Sequence, residues 1–246
     1  MVRLRFVSAG LLPLAAGLML GLAAPAQASE AQSSEARFEV NGTRLSVPIK
    51  TWKDLRDQNV VRQQLDYSCG AAAMATLMTY GIGRPTSEAE VIAAMITDLV
   101  ENERETREKE GFSLLDMKRY AESIGLQAQG FRVGAEVLDQ LQGQVIVFIR
   151  PQGYEHFSVL RGVEGETVYL ADPARGNVRL SRTKFLHQWL GPEGNGIVFA
   201  VERPGVTFNP NNPLALPAQA GAVRPERLAA RDLIEVRPGG FLRAIR

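Results

Sequence analysis

The order in which helix and strand signals follow one another is the feature that most restricts how this chain can fold. From Cys69 to Tyr80, an apolar run rich in Ala, Met and Leu predicts a buried helix that ends at the letters GIGRP. Two further helix starts follow, one where Ser87 precedes Glu90 at capping-box spacing and one at Ser113. The charged run ENERETREKEG between them predicts a solvent-exposed helix or loop. The first part of the domain is therefore expected to be helical.

The second part has the pattern of an antiparallel sheet. In QVIVFIRPQGYEHFSVLRGVEGETVYLADPARGNVRL, short β-rich runs are separated by turns that contain proline and glycine, which predicts a meander of neighbouring strands. A short helix is expected in SRTKFLHQWL and a last strand in GIVFAVERP. Helices followed by an antiparallel sheet predict an α+β domain over about residues 37–203.

The segments on either side of this domain differ from it in composition. Residues 29–36 are small and polar and are expected to form a disordered lead-in. Asn41 and Gly42, set between alternating apolar and polar residues, predict a two-residue β-hairpin. Residues 204–246 contain repeated prolines and few aromatic residues. They are therefore expected to form an extended or surface-docked tail rather than a second core.

The N-terminus predicts export. Arg3 and Arg5 precede an apolar stretch, and the letters AQA at 26–28 have the spacing of a signal-peptidase site, so residues 1–28 are predicted to be a signal peptide. An uncleaved membrane anchor is the alternative, but the apolar stretch is short for a span. Removal of the signal peptide takes Arg3 and Arg5 from the 28 basic residues of the chain, which leaves about 26 basic against 27 acidic residues. This balance argues against nucleic acid as a partner.

Cys69 is the only cysteine, so an intramolecular disulfide is impossible. In an oxidising compartment, a lone thiol is expected to be reactive, buried, or paired with another chain. Its place at a predicted helix start favours a reactive thiolate, because the helix dipole stabilises negative charge there. Of the two histidines, His187 lies in an amphipathic helix and is expected to be structural, whereas His156 opens a strand and is the candidate base. Asp172 closes the next strand, where it either orients the imidazole or forms the turn before Pro173.

Together, these positions resemble the C39 peptidases, a family of papain-like cysteine peptidases best known for cutting leader peptides after a double glycine. The resemblance rests on Gln63 six residues before the CGAA motif at Cys69, on HFSVL at His156, and on LADP at Asp172, and it covers most of the folded domain. It implies a papain-like α+β fold with N-terminal helices packed on an antiparallel sheet. It also implies that Cys69 is the nucleophile, His156 the general base and then acid, and Asp172 the orienting carboxylate. Gln63 would donate to the oxyanion together with the Cys69 backbone N–H.

Several features qualify this resemblance. Gln64 is the alternative oxyanion donor if the register slips by one residue. Ser68 stands where many leader-cutting members carry aspartate, and the chain has no Walker-type nucleotide-binding motif. The chain resembles instead the stand-alone, exported C39-like proteins, including those that accompany functional-amyloid secretion systems in Gram-negative bacteria.

The expected function is a periplasmic cysteine endopeptidase that acts on an exported protein or peptide, such as a secreted amyloid subunit or a secretion-system component. No cofactor is expected, and one cysteine and two histidines argue against a zinc site. One alternative is a catalytically silent C39-like adaptor or chaperone that binds a secreted client. Another is a cell-wall amidase of the NlpC/P60 type, whose cysteine and histidine typically lie closer together than Cys69 and His156.

Overall fold

The computed structural model describes residues 34–40, 43–97, 99–141, 143–206 and 209–216. The predicted signal peptide, most of the predicted lead-in and residues 217–246 of the predicted tail lie outside the described residues. The helices are α1 Trp52–Asp57, α2 Cys69–Thr76 with a π-helical continuation Leu77–Ile82, α3 Glu88–Ile96, α4 Glu101–Glu110, α5 Leu114–Ser123 and α6 Arg182–Trp189. The strands are β1 Ser34–Val40, β2 Thr43–Ile49, β3 Gln127–Val133, β4 Val145–Ile149, β5 His156–Glu164, β6 Thr167–Asp172, β7 Gly176–Ser181 and β8 Gly196–Glu202.

Strands β3 to β8 form one antiparallel sheet in the order β3-β8-β4-β5-β6-β7. Strands β4 to β7 follow one another as neighbours, which confirms the predicted meander. The last strand, β8, inserts between β3 and β4. The helices precede most of this sheet, so the predicted α+β class is confirmed.

The sheet is buried on both faces. Along β4, Ile146 packs into a cluster with α2, α3 and α5, whereas Val145, Val147 and Ile149 pack into a second cluster with α6. This alternation follows from the two-residue period of a strand. The α2 helix therefore lies on one face of the sheet, against β5, and α6 lies on the other.

The predicted helix starts are confirmed at Ser87 and Ser113. Each serine side chain accepts a hydrogen bond from the backbone three residues later, and each carboxylate at that position bonds back to the cap. The predicted helix from Cys69 to Tyr80 begins as expected, but its last turns are π-helical and end at Gly83, whose φ is +78°. Helix α1 was not predicted from the sequence. Its capping box at Thr51 uses an aspartate in place of the usual glutamate.

Two predicted boundaries differ from the observed structure. Strands β1 and β2 pair as a hairpin with Val40 opposite Thr43, as predicted, but β1 begins at Ser34, inside the predicted lead-in. At the other end, Leu214 is fully buried in the core. The Arg161 guanidinium donates a hydrogen bond to the Leu214 carbonyl at 2.8 Å. Residues 209–216 thus pack with the sheet, beyond the boundary predicted at residue 203.

In the part of the chain that the structure describes, no helix combines the length and apolar character needed to cross a membrane.

Candidate active site

Cys69 is the first residue of α2 and is half-buried, packed against the core on the helical side of the sheet. The helix can approach β5 closely because the next residue is Gly70, where an added Cβ would lie 3.3 Å from the Phe157 ring. Phe157 directly follows His156 at the start of β5. Close packing of helix on strand therefore brings the thiol beside the imidazole.

His156 and Asp172 lie on neighbouring antiparallel strands. Because Val159 pairs with Ala171, the end of β6 comes beside the start of β5, although the two residues are sixteen apart in sequence. The His156 Nε2 atom lies 3.1 Å from Asp172 Oδ1, and Cys69 is close enough to the imidazole to interact with it. The structure thus brings together the three residues that the resemblance singled out, with His156 hydrogen-bonded to Asp172 and interacting with Cys69.

The environment of His156 favours its charged form. Burial lowers the pKa of the imidazole, but the hydrogen bond and charge of Asp172, together with the interaction with Cys69, outweigh that effect and raise its pKa to about 9. The side chain is only 11% exposed, so solvent screens these interactions weakly. At neutral pH the His156 imidazole is therefore protonated and positively charged.

Asp172 is fully buried and is held as a carboxylate from two sides. Its Oδ1 accepts hydrogen bonds from the backbone N–H groups of Ala174 and Arg175, both at 2.9 Å, and its Oδ2 accepts from the Arg175 guanidinium at 2.8 and 3.0 Å. Burial raises the pKa of this carboxyl, but the bonds and charges of His156 and Arg175 outweigh it and lower the pKa to about 2. Asp172 thus hydrogen-bonds both the backbone of the turn and the His156 imidazole, which is compatible with both interpretations of this residue.

Gln63 is half-buried, and its backbone N–H donates to the Pro173 carbonyl at 3.1 Å, beside Asp172. Its side-chain Nε2 donates to Leu65 O at 3.0 Å and lies 3.5 Å from Asp66 O. Its Oε1 is buried and has no hydrogen-bond partner among the described residues. The Gln63 side-chain amide therefore hydrogen-bonds within its own loop and not to Cys69, His156 or Asp172.

The two other candidates, Gln64 and His187, lie apart from Cys69, His156 and Asp172. Gln64 is exposed, and its amide donates to its neighbour, Arg62 O, at 3.2 Å. His187 is exposed on α6, which packs on the opposite face of the sheet from α2. Within the described ranges, no group of three or more His, Cys, Asp or Glu side chains is placed to hold a metal ion.

Glu88 and Ser68 form a buried polar pair that sequence reasoning missed. The Glu88 carboxylate accepts from the Gln64 backbone N–H at 3.0 and 3.1 Å and bonds the Ser68 hydroxyl. Ser68 is fully buried and also contacts Leu65 through its hydroxyl, at 2.7 Å from the carbonyl and 3.2 Å from the amide. Helix α3 thus anchors the loop that precedes Cys69. The only sequence signal for this pair was that Ser68 stands where many leader-cutting members carry aspartate.

The sequence matches the model of the peptidase C39 family over residues 57–193, which include all four candidate site residues. It is 41% identical over 187 residues to the probable functional amyloid protease FapD of Pseudomonas aeruginosa, covering 76% of this chain and 75% of that protein. It is 36% identical over 213 residues to the protein of the same name from Pseudomonas fluorescens, covering 85% and 89%. The chain therefore belongs to the peptidase C39 family, a class of cysteine peptidases.

Among solved structures, the chain is similar to the peptidase domain of Streptococcus ComA, a bifunctional ABC transporter involved in quorum sensing. That similarity has a TM-score of 0.48 and 18% identity and covers 58% of this chain and 97% of that domain.

Proposed function

We propose that this protein is a periplasmic cysteine endopeptidase that processes an exported protein client of a functional-amyloid system. The observation that carries the proposal is the grouping of Cys69, at the start of α2, with His156 and the Asp172 carboxylate that hydrogen-bonds it. A thiol, an imidazole and a buried carboxylate in this order are the groups that nucleophilic catalysis by cysteine requires.

In this mechanism, His156 is charged before substrate binds, because the pKa of the imidazole is about 9, and an imidazolium beside Cys69 is the partner that a thiolate nucleophile needs. The Cys69 thiolate attacks the scissile carbonyl and forms a tetrahedral oxyanion. His156 then gives its proton to the leaving amine, and a water molecule, deprotonated by His156, hydrolyses the thioester. Asp172 keeps the imidazole in place and stabilises its charge throughout.

The oxyanion would be held by the backbone N–H of Cys69 and the side-chain amide of Gln63. Because the Gln63 Nε2 already donates to Leu65 O, only its second hydrogen, directed at Asp66 O over 3.5 Å, is weakly held. Donation to the oxyanion would therefore exchange a long hydrogen bond for a stronger, charge-assisted one. Gln64 is the weaker candidate because its amide is exposed and bonded to Arg62 O.

The client and the compartment are inferred from other observations. Two relatives of 41% and 36% identity carry the name of a functional amyloid protease, which supports a client in such a system. The predicted signal peptide at residues 1–28 supports the periplasm. Both features are also compatible with a silent adaptor, but an adaptor has no need for an imidazolium paired with a thiol.

The test compares cells that carry the natural gene with cells that carry Cys69→Ala, with His187→Gln as the control. Intact masses of exported proteins, and the N-terminus of this protein in the periplasmic fraction, are measured by mass spectrometry. We expect a client whose processed mass appears with the natural gene and with His187→Gln but not with Cys69→Ala, and a mature chain that begins at residue 29. Unchanged client masses, with secretion supported equally by Cys69→Ala, would establish the adaptor instead.

A further inference from the structure

Arg62, directly before Gln63, bonds to the turn that carries Asp172. Its Nε donates to the Pro173 carbonyl at 3.0 Å, and its Nη2 donates to the Ala174 carbonyl. Its Nη1 donates to Asp57 Oδ1 at 2.6 Å, and this third contact holds the guanidinium in its orientation. A planar fork with five N–H groups can make these three contacts at once, whereas an ammonium group cannot.

A backbone hydrogen bond reinforces the same junction. The Gln63 N–H donates to the Pro173 carbonyl, so that carbonyl accepts both from Gln63 and from the Arg62 side chain. Two adjacent residues of the pre-cysteine segment are thus joined to two adjacent residues of the β6–β7 turn. The Arg62 side chain is only 28% exposed, so water competes weakly for these carbonyls.

The junction connects the two halves of the candidate site. The segment that contains Arg62 and Gln63 leads into α2 and Cys69, on the helical side. The turn that contains Pro173 and Ala174 follows Asp172, on the sheet side, and its Ala174 N–H bonds Asp172 Oδ1. A shift of this turn would therefore move the carboxylate away from the imidazole.

We propose that Arg62 is a positioning residue that clamps the Asp172 turn to the segment before Cys69, and thereby keeps Asp172 in register with His156. This inference rests on the proposed function. Arg62 does not touch the reacting atoms, so it acts only through the position of Asp172. The neighbouring Arg175 differs from it, because Arg175 bonds the Asp172 carboxylate directly.

The chain offers a matched control for Arg62. Arg56 pairs with the same Asp57 carboxylate, at 2.7 and 2.8 Å, and its side chain is 27% exposed. Its guanidinium covers the Trp52 ring and, among the described residues, makes no hydrogen bond to the 172–175 turn. Arg56→Met therefore removes the same charge from the same neighbourhood and leaves the clamp intact.

The experiment measures the pKa of His156 by NMR titration of the imidazole C–H signals. The chain has only two histidines, and His187→Gln assigns the second signal. The variants Arg62→Met, Arg62→Lys and Arg56→Met are compared with the natural protein. If the clamp holds Asp172 in place, Arg62→Met lowers the pKa of His156 by about one unit or more, because the imidazole loses its best-placed partner.

The lysine variant separates geometry from charge. Arg62→Lys keeps the positive charge beside Asp57 but not the fork, so it is expected to lower the pKa of His156 as Arg62→Met does, whereas Arg56→Met leaves it unchanged. The clamp would be overturned if the pKa of His156 in Arg62→Met equals that in the natural protein, or if Arg56→Met lowers this pKa as much as Arg62→Met does. The titration needs no substrate, so it tests the clamp separately from the peptidase activity. The clamp can be wrong even if the protein is a peptidase. Conversely, an ordinary pKa for His156 in the natural protein would overturn the proposed mechanism and the clamp together.

Discussion

At the scale of single residues, His156 is the group on which the site depends. Its imidazole interacts with Cys69 and lies 3.1 Å from the buried carboxylate of Asp172. Both partners stabilise its charged form more than burial opposes it, so the folded protein holds a proton at neutral pH that the unfolded chain would release. The same interaction that activates Cys69 in the proposed mechanism should therefore also contribute to stability.

The sign of this contribution predicts how stability depends on pH. The pKa of His156 is raised in the folded state to about 9 from an ordinary value of 6.5. The stabilising contribution is therefore complete below pH 6.5 and is lost as the pH rises through about 9. Urea unfolding of the natural protein and of His156→Gln should show a stability difference that shrinks by on the order of 1 kcal/mol or more between these limits. A difference that does not change with pH would contradict the charged imidazole.

The residues of the candidate site and those that position them could be predicted only in part. Cys69, His156 and Asp172 were found because their residue types and spacing carry the chemistry. Arg62 could not be found in this way, because two of its three partners are backbone carbonyls, which a sequence does not distinguish. Glu88 likewise serves as the buried partner of a backbone N–H and of Ser68. Such roles become visible only when the loop geometry is known.

At the scale of elements, the turn between β6 and β7 determines where Asp172 lies. The turn ends at Gly176, whose φ is +87°, and an added Cβ there would lie 2.5 Å from the Arg56 carbonyl. Gly176 thus permits both the left-handed backbone conformation and the close approach of the chain at the end of α1. The turn has little freedom to move without disturbing its neighbours.

Replacing this glycine should damage both stability and the site. We expect Gly176→Ala to lower the free energy of unfolding by about 2 kcal/mol or more, since strain in φ adds to a clash with backbone. The matched control is Gly165→Ala in the β5–β6 turn, where φ is +55° but an added Cβ meets nothing within 4 Å. Chemical denaturation measures the stability, and NMR titration of His156 reports the site. Equal losses in both variants would show that the contact with Arg56 is unimportant.

The elements themselves were largely predictable, for identifiable reasons. The meander from β4 to β7 was visible because its turns contain proline or glycine, and α3 and α5 because their caps are serines. Strand β3 was not assigned, since its QAQGFRV sequence lacks a regular apolar alternation. The π-helical end of α2 was also missed, because nothing in the apolar run distinguishes an α-helix from a π-helix.

At the scale of the whole molecule, residues 209–216 tie the end of the described chain back onto the domain. Leu214 is buried in the helix-side core, and the Asn59 side chain donates to the Pro213 carbonyl at 2.9 Å. The buried Arg161 bonds the Leu214 carbonyl from the sheet. Proline-rich composition led to the prediction of an extended or surface-docked tail from residue 204, because composition does not report which single leucine enters a core.

Two truncations test whether this segment belongs to the fold. A chain that ends after Arg203 loses the buried Leu214 and the carbonyl partner of Arg161 and should be about 3 kcal/mol or more less stable than a chain that ends after Leu216. Urea denaturation of the two chains, followed by circular dichroism, measures the difference. Equal midpoints would show that residues 204–216 add nothing to the fold.

The rate at which iodoacetamide alkylates Cys69 in the native protein tests whether His156 activates this residue as a nucleophile. The rate is followed from pH 5 to 8 by mass spectrometry, in the natural chain and in His156→Gln. We predict rapid alkylation already at pH 6 and a rate at least about tenfold lower in His156→Gln, because the thiolate would lose its imidazolium partner. Alkylation only after unfolding, or at the same rate in both proteins, would contradict the claim.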